Sequence, residues 1–150
     1  MNLLEFVFGA RPRALDVIGV PPHSVEWRRI RARPSPPVRA RRAEADCVVE
    51  TGQGGLKARG GKDYIVTHAD GARAVVRGDI FDRTYASSDD GSYVKRTDIV
   101  LRCFTLDRPA MIETLEGLQR AEAGDWVVQG VAGELWPVPR SKALSKYEPA

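Results

Sequence analysis

Residues 63–85, "DYIVTHADGARAVVRGDIFDRTY", and residues 125–147, "DWVVQGVAGELWPVPRSKALSKY", read as two worn copies of one stretch. At a single offset of 62 residues and with no gap, Asp63 meets Asp125, Val66 meets Val128, Gly71 meets Gly133, Val76 meets Val138 and Tyr85 meets Tyr147. These identities fall where geometry is demanding: a turn glycine, one valine on each side of it, and a terminal tyrosine. Tyr64 opposite Trp126 and Ile65 opposite Val127 are like-for-like exchanges. A chain doubled in this way folds as two like units, so an element assigned in one copy constrains the other.

In the second copy, "DWVVQ" is a strand, "GVAGE" supplies two glycines to a hairpin turn, and "LWPV" is a return strand that Pro137 places at a sheet edge. "PRSKALSKYEP" then reads as a short helix with Ser141 as N-cap. In the first copy the same order is "DYIVT", "HADGA", "RAVV" and "GDIFDRTY", with Asp79 as N-cap. "PAMIETLEGLQRAEAG" carries apolar residues at helical spacing, but its counterpart "CVVETGQGGLKARGG" is too rich in glycine and β-branched residues for a helix. A strand and turn is therefore expected at "MIETLEG". Upstream, "RARPSPPVRARRA" and "YVKRTDIVLRCFT" give an opening strand to each unit. The expected fold is α+β and β-dominated. It consists of two tandem pseudo-repeat units, each β–β–β-hairpin–short α, packed as one pseudo-symmetric domain. The expected divisions are an N-terminal arm over 1–30, the first unit over 31–86, a linker over 87–92 and the second unit over 93–150.

The chain of 150 residues is 43% hydrophobic and 29% charged, values of a globular protein rather than a disordered one. No apolar run approaches the ~18 residues of a transmembrane helix, and the opening "MNLLEFVFGARPR" lacks the features of a signal peptide, so a cytoplasmic protein without a membrane partner is expected. Cys47 and Cys103 read as small buried thiols rather than a disulfide. The net charge of +3 is uneven: residues 1–42 carry +6 and residues 43–150 carry −3.

The second unit holds Thr114-Leu115-Glu116-Gly117, Gly124-Asp125, Gly130-Val131, Gly133-Glu134, Pro137 and Tyr147-Glu148-Pro149. The first holds "DIFDRTY" at 79–85, and "YVKRTDIVLRCF" spans 93–104. Together these residues resemble a group of small phage and prophage proteins ending in a "TLEG…PGDYIIKGVKGEFYPCKPDIFEKTYEP"-like pattern, often after a "YRKRPVVVEAF"-like strand. The resemblance spans residues 31–149. It departs at "PRSKALSKY" and at His68-Ala69. It implies a tandem form of a module usually seen singly, of phage-like ancestry and bacterial setting. It supplies no activity.

Arginine supplies the strongest electrostatic feature. "WRRIRARPSPPVRARR" sets Trp27 beside Arg28, Arg29, Arg31, Arg33, Arg39, Arg41 and Arg42. Such a run suits phosphate-backbone contact, with Trp27 stacking on a base. The competing reading is the wet face of an edge strand, where positive charge deters pairing. Asp63 and Asp125 are the second candidate, since symmetry-related carboxylates can perform acid–base chemistry or hold a cation. An aspartate ahead of a strand more commonly accepts from turn amides. His23 and His68 lack ligands at metal spacing, and no phosphate loop, dinucleotide motif or nucleophile elbow is present. Trp126, Trp136, Tyr64, Tyr85 and Tyr147 line either a cleft between the units or the core. The sequence thus favours a non-enzymatic binding or structural module, with no cofactor or metal. A nucleic-acid binder acting through residues 28–42 is the first alternative, and an enzyme centred on Asp63 and Asp125 the second. Open sheet edges also admit homodimerisation.

Overall fold

The computed structural model describes residues 14–150. Strands dominate, and the two helices among the described residues are short. The chain begins with β1 (Asp16–Ile18) and β2 (Arg28–Ala32). It continues with β3 (Arg39–Arg42), a hairpin of β4 (Cys47–Thr51) and β5 (Gly54–Ala58), and a hairpin of β6 (Asp63–Thr67) and β7 (Arg73–Arg77). Helix α1 (Gly78–Thr84) and β8 (Tyr85–Ser87) follow. After β9 (Tyr93–Lys95) come β10 (Leu101–Thr105), the hairpin of β11 (Ala110–Thr114) and β12 (Gly117–Ala121), and the hairpin of β13 (Trp126–Gln129) and β14 (Leu135–Val138). Helix α2 (Arg140–Lys146) and β15 (Tyr147–Pro149) close the chain.

Alternation within the strands explains how the sheets are covered. In β13, Val127 and Val128 point to opposite faces and both are fully buried, because each face has its own lid. Val127 joins Phe104 and Leu135 beneath Ile112 and Ala121 of the β11–β12 hairpin. Val128 joins Ile30, Cys103 and Val138 beneath Ala143 of α2 and Tyr147. In β6, Ile65 packs with Val49 and Ala58 of the β4–β5 hairpin, while Val66 packs with Val38 and Phe81 of α1. A continuous apolar run in a short strand marks this two-sided burial.

The larger sheet has the order β14-β13-β10-β2-β15, and a smaller one has the order β3-β6-β7. Pro137 thus lies on an edge strand, where its missing N–H costs no ladder bond. β2 runs antiparallel to both β10 and β15, with Ile30 opposite Leu101 and Ala32 opposite Tyr147. Arg31 therefore lies on an interior strand, not on an edge strand, and deterring aggregation does not account for it. β9 instead pairs with β8, placing Lys95 opposite Tyr85, and Tyr93 forms an isolated bridge with Val38. Residues 88–91 are the turn joining β8 to β9, and the 30/31 boundary falls inside β2. β1 runs parallel to β11.

Both expected N-caps differ from the structure. α1 starts directly from Arg77 and α2 from Pro139, each with extended backbone, and neither residue's side chain caps its helix. Asp79 lies inside the first turn and pairs with Arg77 at 2.6 Å. At α2 the cap comes from a distance: Asp125 Oδ1 accepts from the Arg140 amide at 2.9 Å, and Ser141 plays no part. Cys103 is buried as expected, but Cys47 is exposed at the start of β4. No helix among the described residues is long and apolar enough to cross a membrane.

Candidate functional site

The arginine segment divides into paired and unpaired side chains. Trp27 is half-buried: its ring meets Phe104 edge-on at 5.3 Å, and the Arg102 guanidinium covers one face at 3.9 Å. That face is closed to a base. Arg28 lies over the Trp126 ring at 4.4 Å and donates to Thr105 Oγ1 at 2.9 Å. Arg31 and Arg33 both pair with Glu148, at 3.0 and 3.3 Å, and Arg33 Nε also donates to the Leu144 carbonyl. Arg42 donates to the Gly61 carbonyl and to Tyr64 Oη, with its guanidinium 4.8 Å from the Tyr64 ring centre. Arg29, Arg39 and Arg41 are exposed and make no side-chain hydrogen bond or ion pair with the described residues.

The two aspartates are held by their own turns. Asp63 Oδ2 accepts from the Arg59 amide at 2.8 Å, and the Arg59 guanidinium binds both carboxylate oxygens, at 2.8 and 3.0 Å. Those side-chain bonds hold the Asp63 carboxyl below the usual range against the opposing effect of burial. Asp125 Oδ2 accepts from the Glu122 amide at 2.9 Å while Oδ1 caps α2. Among the described residues, no three His, Cys, Asp or Glu side chains gather as a metal site would need.

A third locus was only partly named by the sequence. Tyr64, Phe81 and Tyr85 stack in a column at centroid spacings of 4.1 and 4.7 Å, with Tyr93 edge-on to Phe81 at 5.1 Å. At the end of this column Tyr85 enters a cleft of about 640 Å³ shared with Trp136 and Tyr147. The opposite lining comes from the β6–β7 turn with His68 and Asp70, and from the Arg33–Pro36 connection after β2. Lys95 and Lys146 also reach the cleft. Lys95 is half-buried, and no carboxylate among the described residues pairs with it. Asp70, the carboxylate in the lining, accepts from the Ala72 amide of its own turn at 2.9 Å.

Burial pushes the Lys95 ammonium below the ordinary lysine range, and the positive charge of Lys146 adds to the effect. Burial raises the Tyr85 phenol, and it raises Tyr147 against the opposing influence of the Trp136 indole. Three of the five aromatic residues singled out in the sequence thus meet here. Trp126 lies beneath Arg28, and Tyr64 stays in the stacked column. Lys95 gives one signal in sequence, a lysine beside aromatic and β-branched residues in "YVK". That signal is weak without knowing which strand lies opposite. No family model, curated protein or solved structure matches the chain.

Proposed function

We propose that the chain is a non-enzymatic binding module, built by tandem duplication of a small β-rich unit, with its ligand site in the cleft where the two units meet. The duplication is supported by irregular details that recur. Thr51 Oγ1 donates to the Gly54 carbonyl and accepts from the Gln53 amide; Thr114 Oγ1 does the same with Gly117 and Glu116. The Arg59 amide donates to Asp63 and the Glu122 amide to Asp125. Three residues separate the first pair and two the second, so the offset is 63 before these turns and 62 after them. At 63, further identities emerge: Arg39 with Arg102, Glu50 with Glu113, Thr51 with Thr114, Gly54 with Gly117 and Ala58 with Ala121. The ancestry with phage proteins rests on the sequence resemblance.

On this reading the units exchange their first strands. β2 of the first unit completes the second unit's sheet, between β10 and β15. β9 of the second takes the matching place in the first, against β8 and Val38. The Arg33 amide donates to the Lys146 carbonyl, and its counterpart Arg96 donates to Thr84. The cleft lies at this crossover. Its 640 Å³ falls within the usual range of small-molecule sites. The observation that carries the binding role is Lys95, an ammonium half-buried among aromatic rings and without an ion-pair partner among the described residues, where desolvation without a partner is unfavourable. Screening small molecules by amide chemical-shift mapping is expected to move Tyr85, Lys95 and Trp136 together. Shifts confined to the β4–β5 and β11–β12 hairpin tips, outside the cleft, or turnover of a ligand, would contradict the proposal.

A second reading keeps a nucleic-acid interface but narrows it to Arg29, Arg39 and Arg41. It is favoured by their exposure and by Arg39 and Arg41 projecting from one face of β3. Replacing these three with Gln should weaken DNA or RNA binding uniformly and lessen its salt dependence. An unchanged salt slope would exclude them.

A further inference from the structure

The chemistry of the cleft narrows what it can take. Its lining combines the rings of Tyr85, Trp136 and Tyr147 with two ammonium groups, Lys95 and Lys146, that have no ion-pair partner among the described residues. Arg33, at the same rim, is already paired with Glu148. Asp70, the one carboxylate among the described lining residues, accepts from its own turn's Ala72 amide. The cleft is therefore both electropositive and aromatic, with Lys95 directly across from Tyr85 in the β8–β9 pair and Lys146 next to Tyr147. Lys95 enters from β9 and Lys146 from the end of α2, so the cationic groups draw on both units.

Like charges on half-buried Lys95 and exposed Lys146 repel across the cleft that both line, and an anion between them would relieve that repulsion. The depression of the Lys95 pKa by burial and by Lys146 agrees with this picture. An anion alone would leave the rings unused. A planar group stacked on Trp136 or seated between the tyrosines would displace water from aromatic surface.

We propose that the cleft binds a small organic anion carrying a planar ring, its charged end on Lys95 and Lys146 and its ring against Trp136, Tyr85 and Tyr147. This rests on the reading of the cleft as the ligand site. Both a phosphate and a carboxylate head satisfy two ammonium groups; a cationic ring does not.

Phenyl phosphate is the probe, titrated into the full chain and followed by amide and indole resonances, with inorganic phosphate and benzylamine as comparisons. Saturable binding is expected for phenyl phosphate, with shifts at Tyr85, Lys95 and the Trp136 indole. Affinity should fall about tenfold in Lys95→Met and less in Lys146→Gln, while Lys95→Arg retains most of it. Lys146 is exposed, so its variant keeps the test open even if Lys95→Met fails to fold. Benzylamine binding as tightly as phenyl phosphate, inorganic phosphate matching it, or affinity unchanged in the lysine variants would overturn the ligand class. In those cases the cleft still stands as a binding site wherever its resonances move. No shift in the cleft with any of the three probes would contradict both the class and the cleft.

Discussion

Asp63 accepts three hydrogen bonds from Arg59, whereas Asp125 divides its two oxygens between the Glu122 and Arg140 amides. Symmetry makes the pair look catalytic in sequence; in space Asp63 is occupied by its own turn and Asp125 by its turn and the start of α2. Asp63 is 5% exposed, so losing it strands the hydrogen-bond donors around it. Asp63→Ala should cost about 2 kcal/mol, read by urea denaturation at neutral pH. Because the folded carboxyl titrates below its unfolded value, this contribution is present above the unfolded pKa and is lost as pH falls through the folded one. Wild type and Asp63→Ala should thus converge in stability in acid; a gap that persisted there would mean Asp63 acts by packing. Residues with local roles were legible: an aspartate before a strand announces a turn. Lys95 was not, since its chemistry depends on a lysine and aromatics that meet only in three dimensions.

At the level of elements, the β6–β7 and β13–β14 hairpins were legible from apolar runs bracketing Gly71 and Gly133, both of which adopt positive φ. "MIETLEG" was legible as a strand only through its glycine-rich counterpart. The caps were misread because a local side-chain cap was assumed, whereas α1 starts straight from the end of β7 and the first amide of α2 bonds the distant Asp125 carboxylate. For α1 that abrupt start depends on Gly78. Its amide donates to the Lys62 carbonyl at 2.8 Å, and a Cβ at this position would collide with that same carbonyl. Gly78→Ala should therefore destabilise by about 1–3 kcal/mol despite alanine's better helix propensity. A thermal scan showing no loss, or a gain, would mean the contact between Gly78 and the Lys62 carbonyl yields easily. The ungapped offset of 62 had a cost of its own. It left the corresponding "ETGQG" and "ETLEG" turns one residue out of register, and they align once the residue missing before Asp125 is allowed for.

Across the whole molecule, the sequence motivates the proposal of two units but carries no sign of which unit each opening strand would join. Strand pairing is read by main-chain bonds and alternation, and β2 and β9 offer the same pattern to either sheet. The exchange makes the proposed units interdependent: neither sheet is complete without a strand from the other, and the cleft exists only where both are present. Units joined like beads would unfold separately; units that exchange strands should unfold together. Native-state amide hydrogen exchange tests this most directly. Amides of Ile30 and Ala32 in β2 are expected to exchange by the same global opening as those of β6 and β13, and residues 39–87 and 101–149 should share one opening free energy. Two distinct opening energies for these segments, with Ile30 and Ala32 exchanging freely, would contradict the strand exchange and the cleft built upon it.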